Sequence, residues 1–415
     1  MMKQRARRLT ICLLCAQATL ANGEQWKVDG KIQTGVWSSD RALNDRSGVF
    51  PATLALRGKT FINDNLKIAA DGVVGFKDYF GDENKFAFAR EFYLDYRQAN
   101  GFLRIGKQII AWGRADQINP TDSLTSHNYQ WLSSQEDDQR FGNTGIRYEH
   151  TLKEYSISGV WLPFMRSSHI PMPPEYMQYI QIVQPDNRDN FALKLDRSAN
   201  GLDSSLSFYS GIDSMPSLEW VPNSWLQLQL VNHRIRRYGG DFALATGAYT
   251  VRGEVAYTQT SREANEFSGK KWDYVKAVIG VERQFADDLN VNLQWVWQSQ
   301  YAWQNANSWG IPQFSLLSRF QQVINQQPAR DFGGIAYRVS KRFLNETVEF
   351  ELGGIGLTAA QGWLINPRLR YQLTNAVTMT VGGDYYEGND NTMLGRLKNN
   401  KTLFFEINYA FSTSG

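Results

Sequence analysis

Eleven residues near the C-terminus, "KTLFFEINYAF" (401–411), constrain this chain more than any motif in it. Leu403, Phe405, Ile407, Tyr409 and Phe411 fall on one face of an extended segment; Phe404, Glu406, Asn408 and Ala410 fall on the other. A period of two is the strand period, because successive side chains of a β-strand point to opposite faces. The pattern recurs along the chain. "NVNLQWVWQSQ" sets Val291, Leu293, Trp295 and Trp297 against Asn290, Asn292, Gln294 and Gln298, and "NPRLRYQL" sets Leu369, Tyr371 and Leu373 against Arg368, Arg370 and Gln372. "NLKIAADGVVGFK", "DYVKAVIGVER" and "EFYLDYR" read the same way, each with one greasy and one polar face.

A soluble sandwich also alternates, and three features separate it from a membrane barrel. These segments reach ten to thirteen residues, which suits a tilted strand crossing a bilayer, whereas ordinary strands have a mode of about five or six. The connections alternate in length. Short turns at 63–64, 98–101, 151–153, 247–249, 343–345 and 374–376 take turns with long polar segments near 39–50, 114–140, 164–189, 214–232, 261–271, 302–330 and 388–400, the pattern of short periplasmic turns and long outer loops. Aromatic residues gather at segment ends: Trp26, Trp112, Trp161, Tyr257, Trp272, Trp303, Trp363, Tyr385 and Phe411, as expected of rings at a water–lipid boundary. The expected fold is therefore all-β: a transmembrane antiparallel up-and-down β-barrel of about eighteen strands, with sixteen the alternative, since barrels of this kind take even numbers. The segments 203–213 and 233–246 carry the weakest pattern, and 225–233 competes as a strand in its own right.

The first residues supply the compartment. Lys3, Arg5, Arg7 and Arg8 precede an apolar run from Leu9 to Leu20, and Ala18 and Ala21 are small residues at cleavage positions. We read 1–21 as a secretory signal peptide and 22–415 as one barrel domain. Both cysteines, Cys12 and Cys15, lie in that leader, so the mature chain has neither a disulfide nor a thiolate metal site, and no cofactor is expected. The four leader cations also account for the formal net charge of +3; without them 40 basic residues face 41 acidic ones, which leaves no case for a nucleic-acid partner. The expected location is the cell outer membrane, with its lipid and lipopolysaccharide as surroundings.

Lumen-facing charges are mixed in sign. Arg368 and Arg370 beside Glu349 and Glu351 on the preceding segment suggest a cross-strand ladder, and a balanced interior suggests a weakly selective channel or a cross-braced network. Catalysis finds little. The histidines are His127, His150, His169 and His233, none in metal-ligand spacing. A hydrolase built on His127, Asp122 and Ser126 is the remote alternative. "SSQEDDQR" (133–140) suggests a solvated charge run or a Ca²⁺ or lipopolysaccharide bridge. "HIPMPPEYMQYIQIVQP" (169–185) is an apolar outer segment suited to capping the barrel or meeting a greasy partner.

The stretch "FLRIGKQIIAWGRADQINPTDSL" carries the one family signal. Arg104, Gly106, Lys107, Gln108, Trp112 and Gly113, followed by Asn119, Pro120 and Asp122, resemble a signature of Gram-negative outer-membrane barrels of the alginate-export-like and uncharacterised-porin kind. That group includes a domain-of-unknown-function family associated with lipid-exporting inner-membrane pumps. The resemblance implies an outer-membrane channel or export duct, with a periplasmic or inner-membrane export partner. Within the stretch, Arg104 and Gln108 are expected to face the lumen, Ile105 and Ile109 the lipid, and Trp112 the outer interface. The stiff Asn-Pro segment suggests that loop 114–140 folds inward and sets a constriction with Arg114, Asp116, Asp122 and Arg140. The expected function is passage of a polysaccharide, a small polar solute or an amphiphile without covalent chemistry. The alternative is a sealed barrel that scaffolds a secreted or surface partner.

Overall fold

The computed structural model describes residues 26–39, 48–80, 85–170, 179–184, 189–221, 227–260, 271–309, 312–358, 362–389 and 392–413. The expected leader lies outside the described residues.

Eighteen long strands form the wall: β1 Lys27–Ser39, β2 Ala52–Asn63, β3 Leu66–Phe76, β4 Lys85–Gln98, β5 Gly101–Gln108, β6 Asn143–Leu152, β7 Tyr155–Leu162, β8 Asn190–Ala199, β9 Leu202–Ile212, β10 Arg234–Thr246, β11 Tyr249–Thr260, β12 Tyr274–Gln284, β13 Leu289–Gln300, β14 Asp331–Phe343, β15 Val348–Leu357, β16 Gly362–Gln372, β17 Val377–Gly388 and β18 Thr402–Ser412. Each pairs antiparallel with the next. β18 returns to β1 from Asp29↔Ser412 to Ser39↔Thr402, so the sheet closes and no strand edge is left to aggregate. Both weakly patterned segments are wall strands, β9 and β10. The competing segment supplies only Leu228–Val231, which lies outside the wall.

Alternation sets the two faces. Ile32, Leu56, Leu94, Ile105, Ile157, Leu206, Ile279, Trp295, Ile335 and Val381 are exposed on the outside. In a bilayer that exposure is burial in lipid, so the apolar band needs no second layer of protein. Trp363 stacks on Tyr385 at the outer end of the wall, with ring centroids 5.3 Å apart, and both are exposed. No described helix is long and apolar enough to cross a membrane; the strands cross it. Above the barrel, Ile180–Ile182 runs parallel to Leu228–Val231, which pairs with Ser217–Trp220. Helix α1 (Pro312–Ile324) seats Phe320 against Ile180, Leu218, Leu228 and Leu230. The described part of the 169–185 segment thus joins an apolar cap at the outer mouth, and 171–178 and 185 lie outside the described residues.

Candidate functional site

The core of this protein is the lumen, and what fills it is the connection between β5 and β6. The wall strand ends at Gln108, five residues short of the expected 113. Ile109 lies just past the strand; it is half-buried and its N–H donates to the inward carboxylate of Glu91 at 2.8 Å. Trp112 is not at the outer interface either. It is 4% exposed, packed with Ile110 and Leu124 against Val160, Leu162, Ala192, Tyr209 and Ile235. Burying an apolar side chain of this size is worth about 1.5–3 kcal/mol, enough to pull the end of the segment off the wall and inward. Gly113 then turns at φ +103°, a left-handed value that suits glycine. A Cβ there would lie 2.6 Å from Glu254 Oε1.

Glu254 on β11 is the first anchor. Its carboxylate accepts the N–H of Arg114 (2.5 Å), Ala115 (2.5 Å) and Thr121 (3.2 Å) and the hydroxyl of Thr121 (2.9 Å). Arg114 spans two strands: it donates to Asp196 on β8 at 2.8 Å and to Asp241 on β10, which also accepts from Ser205. Asp116 pairs with Arg338 on β14 at 2.5 Å and accepts from Asn292 on β13. Asp122 turns back into its own loop. Its carboxylate accepts from Thr125 at 3.0 Å, while its carbonyl accepts from Arg237 on β10. Desolvation pushes the Asp122 carboxyl above the usual range.

The return limb crosses to the other side. Lys31 on β1 (2.8 Å) and Arg90 on β4 (3.6 Å) pair with Asp138. Glu406 on β18 accepts from the Ser134 hydroxyl (2.5 Å), the Ser134 N–H (3.1 Å) and Gln33 (2.6 Å). The acidic run 133–140 is thus not simply a solvated face, since Asp138 is buried at its centre. Arg140 pairs with Asp137 at 3.4 Å.

The remaining expected residues lie apart from the loop or are diverted by it. Arg104 sits lower on the wall, paired with Asp95 at 2.7 Å and stacked over Tyr93. Gln108 is 1% exposed and donates to the Gly145 carbonyl, so it is packed in the wall and not free in the lumen. Arg370 and Glu349 form one rung of the expected ladder, at 2.9 Å. The second rung does not form. Arg368 and Glu351 are register partners, but Arg368 instead donates to the Ser134 carbonyl at 2.7 Å, where a charged donor satisfies a buried loop acceptor. Asp196, Asp241, Glu254 and Glu406 were missed as anchors; alternation does place each on a lumen face.

His127 is drawn away from any relay. Its ring stacks on Tyr129, Ser126 donates to the Arg166 carbonyl at 2.7 Å, and Asp122 is held by Thr125. Desolvation, with Arg140 nearby, lowers the His127 pKa to about 4. Above the loop lies a vestibule of about 2030 Å³, lined by Asp116, Asp122, Arg140, Arg237, Lys276, Arg368 and Asp384 among others.

No protein-family model and no curated protein sequence matches this chain. Solved structures do. OpdK of Pseudomonas aeruginosa, determined with vanillate, matches with a TM-score of 0.58 at 10% identity, over 94% of this chain and 99% of that one. OccAB1 of Acinetobacter baumannii matches at 0.58 and 9% identity, over 96% and 98%. OccK3 (OpdO) of P. aeruginosa matches at 0.57 and 12% identity, over 94% and 96%. The chain has the fold of these outer-membrane barrels. The likeness shows the barrel fold and does not single out the alginate-export-like kind that the Arg104–Asp122 motif resembles.

Proposed function

We propose that this protein is an outer-membrane channel for small polar solutes, which enter the outer vestibule and pass the inward loop by diffusion. The carrying observation is the vestibule itself, a cavity of about 2030 Å³ whose floor is a loop tethered to strands on opposite sides of the wall. A lumen of this strand number is wide enough to hold water unless loops fill it, so the loop decides what passes. In this reading Arg114 and Asp116 brace the floor, and Asp122 and Arg140 line its upper side. The fold supports the reading, and vanillate in OpdK is a solute that such a vestibule would accommodate.

The dense tethering also favours a second reading, a sealed scaffold. Planar-bilayer recording of the purified protein separates the two. A channel gives discrete current steps that grow severalfold when residues 114–140 are deleted. The absence of current from both proteins would sink the channel reading and leave the scaffold.

A further inference from the structure

Unpartnered buried polar atoms are scattered round the lumen, and one part of the wall gathers several of them. Where β1, β16, β17 and β18 meet, strand pairing sets Trp37 opposite Phe404, Asp384 opposite Thr402 and Arg368 opposite Gly382. Asn400 comes just before β18. It is 7% exposed, and neither its amide nitrogen nor its amide oxygen has a hydrogen-bond partner. Trp37 is 3% exposed, and its indole N–H is likewise unpartnered. Asn366 Oδ1 and Arg368 Nε are unsatisfied too. Asp384 lies close enough to Arg368 to feel its charge. All five residues line the vestibule.

An orphaned buried polar group is costly, and proteins rarely leave several together without a use. Their chemistry narrows that use. Trp37, Asn400 and Arg368 offer donors; Asn400, Asn366 and Asp384 offer acceptors. The charges of Arg368 and Asp384 are opposite, so neither a simple anion nor a simple cation is favoured. A hydroxyl both donates and accepts, and a solute bearing many hydroxyls satisfies such a mixed set. The rings of Trp131 and Tyr386 line the same cavity, and they suit the apolar C–H faces of a pyranose.

We propose that this wall is a binding subsite for a neutral polyhydroxylated solute of monosaccharide size. The proposal rests on the channel reading for its purpose but is tested apart from it. In planar bilayers, D-glucose added to the outer side should reduce the current saturably, and proline at the same concentration should not. Asn400→Ala and the milder Trp37→Phe, which removes the indole N–H but keeps an aromatic ring, should each raise the half-saturating concentration about tenfold. Folding of both variants is checked by heat-modifiable electrophoretic mobility. An open channel that glucose does not block, or that proline blocks equally, or whose block is unchanged in both variants, would overturn the subsite and leave the channel standing. If the protein passes no current, calorimetric titration of the purified barrel with D-glucose decides instead. A saturable heat weakened in Trp37→Phe supports the subsite, and no heat overturns it.

Discussion

The wall and the loop inside it are built on opposite principles. The wall is held by a continuous backbone ladder, from Asp29↔Ser412 around to β17 and β18, and its side chains need only the right polarity on each face. The loop from Ile109 to Gly142 has almost no ladder of its own beyond Ser126↔Phe141 and His127↔Arg140. It is held by side chains: Glu254 and Arg114 on one side, Asp138 and Glu406 on the other. The difference is one of tolerance. Losing one outward wall residue leaves the wall's hydrogen bonds intact, whereas losing one anchor leaves several buried loop groups without partners.

The strongest way to break that contrast is Glu254→Leu. Three loop N–H groups lose their acceptor, and at about 1–3 kcal/mol per orphaned donor the attachment weakens by roughly 3–9 kcal/mol. We expect rapid tryptic cleavage after Arg114 and a larger conductance, while the barrel itself melts at nearly the wild-type temperature. Equal destabilisation of loop and barrel would show that the two are one cooperative unit.

Acidification should loosen the loop by less. The His127 pKa lies near 4 in the folded loop against an ordinary value of 6.5, so the unfolded loop binds the extra proton first. Stability from this group is full above about 6.5 and is lost as pH falls toward 4. Asp122, whose carboxyl is raised, acts in the opposite sense, so the comparison is made against His127→Gln. Hydrogen exchange at Ser126–Asn128 should accelerate between pH 7 and 4.5 in the wild type more than in that variant.

The smallest effect is expected at the wall's periplasmic turns. Lys341 and Asp287 pair at 2.6 Å across an exposed turn, and water screens such pairs. Lys341→Ala should leave the melting temperature unchanged; a measurable drop would mean that turn contacts, and not the ladder alone, hold the wall.

How far this could be read from the residues follows the same division. Period-two patterning located every wall strand, including the faint β9 and β10, because lipid on one side and lumen on the other impose polarity on each position independently. It failed where the chain left the wall. "QIIAW" is apolar and runs on from the strand, so Trp112 read as part of the crossing, although its indole is buried among inward residues of β7, β8, β9 and β10. Glu351 and Arg368 were rightly placed side by side, but a loop carbonyl more than 200 residues from Arg368 took its guanidinium.

The sequence by itself determined a closed, membrane-crossing barrel, because alternation, strand length and loop asymmetry are local properties that lipid and water enforce strand by strand. Only the tertiary structure decided what occupies the lumen. Many of the partners there are separated by more than 100 residues, as Thr121 is from Glu254 and Ser134 from Glu406. Which inward side chain meets which depends on the closure of eighteen strands in register. Periodicity tells a side chain which face to take, but not who stands across from it.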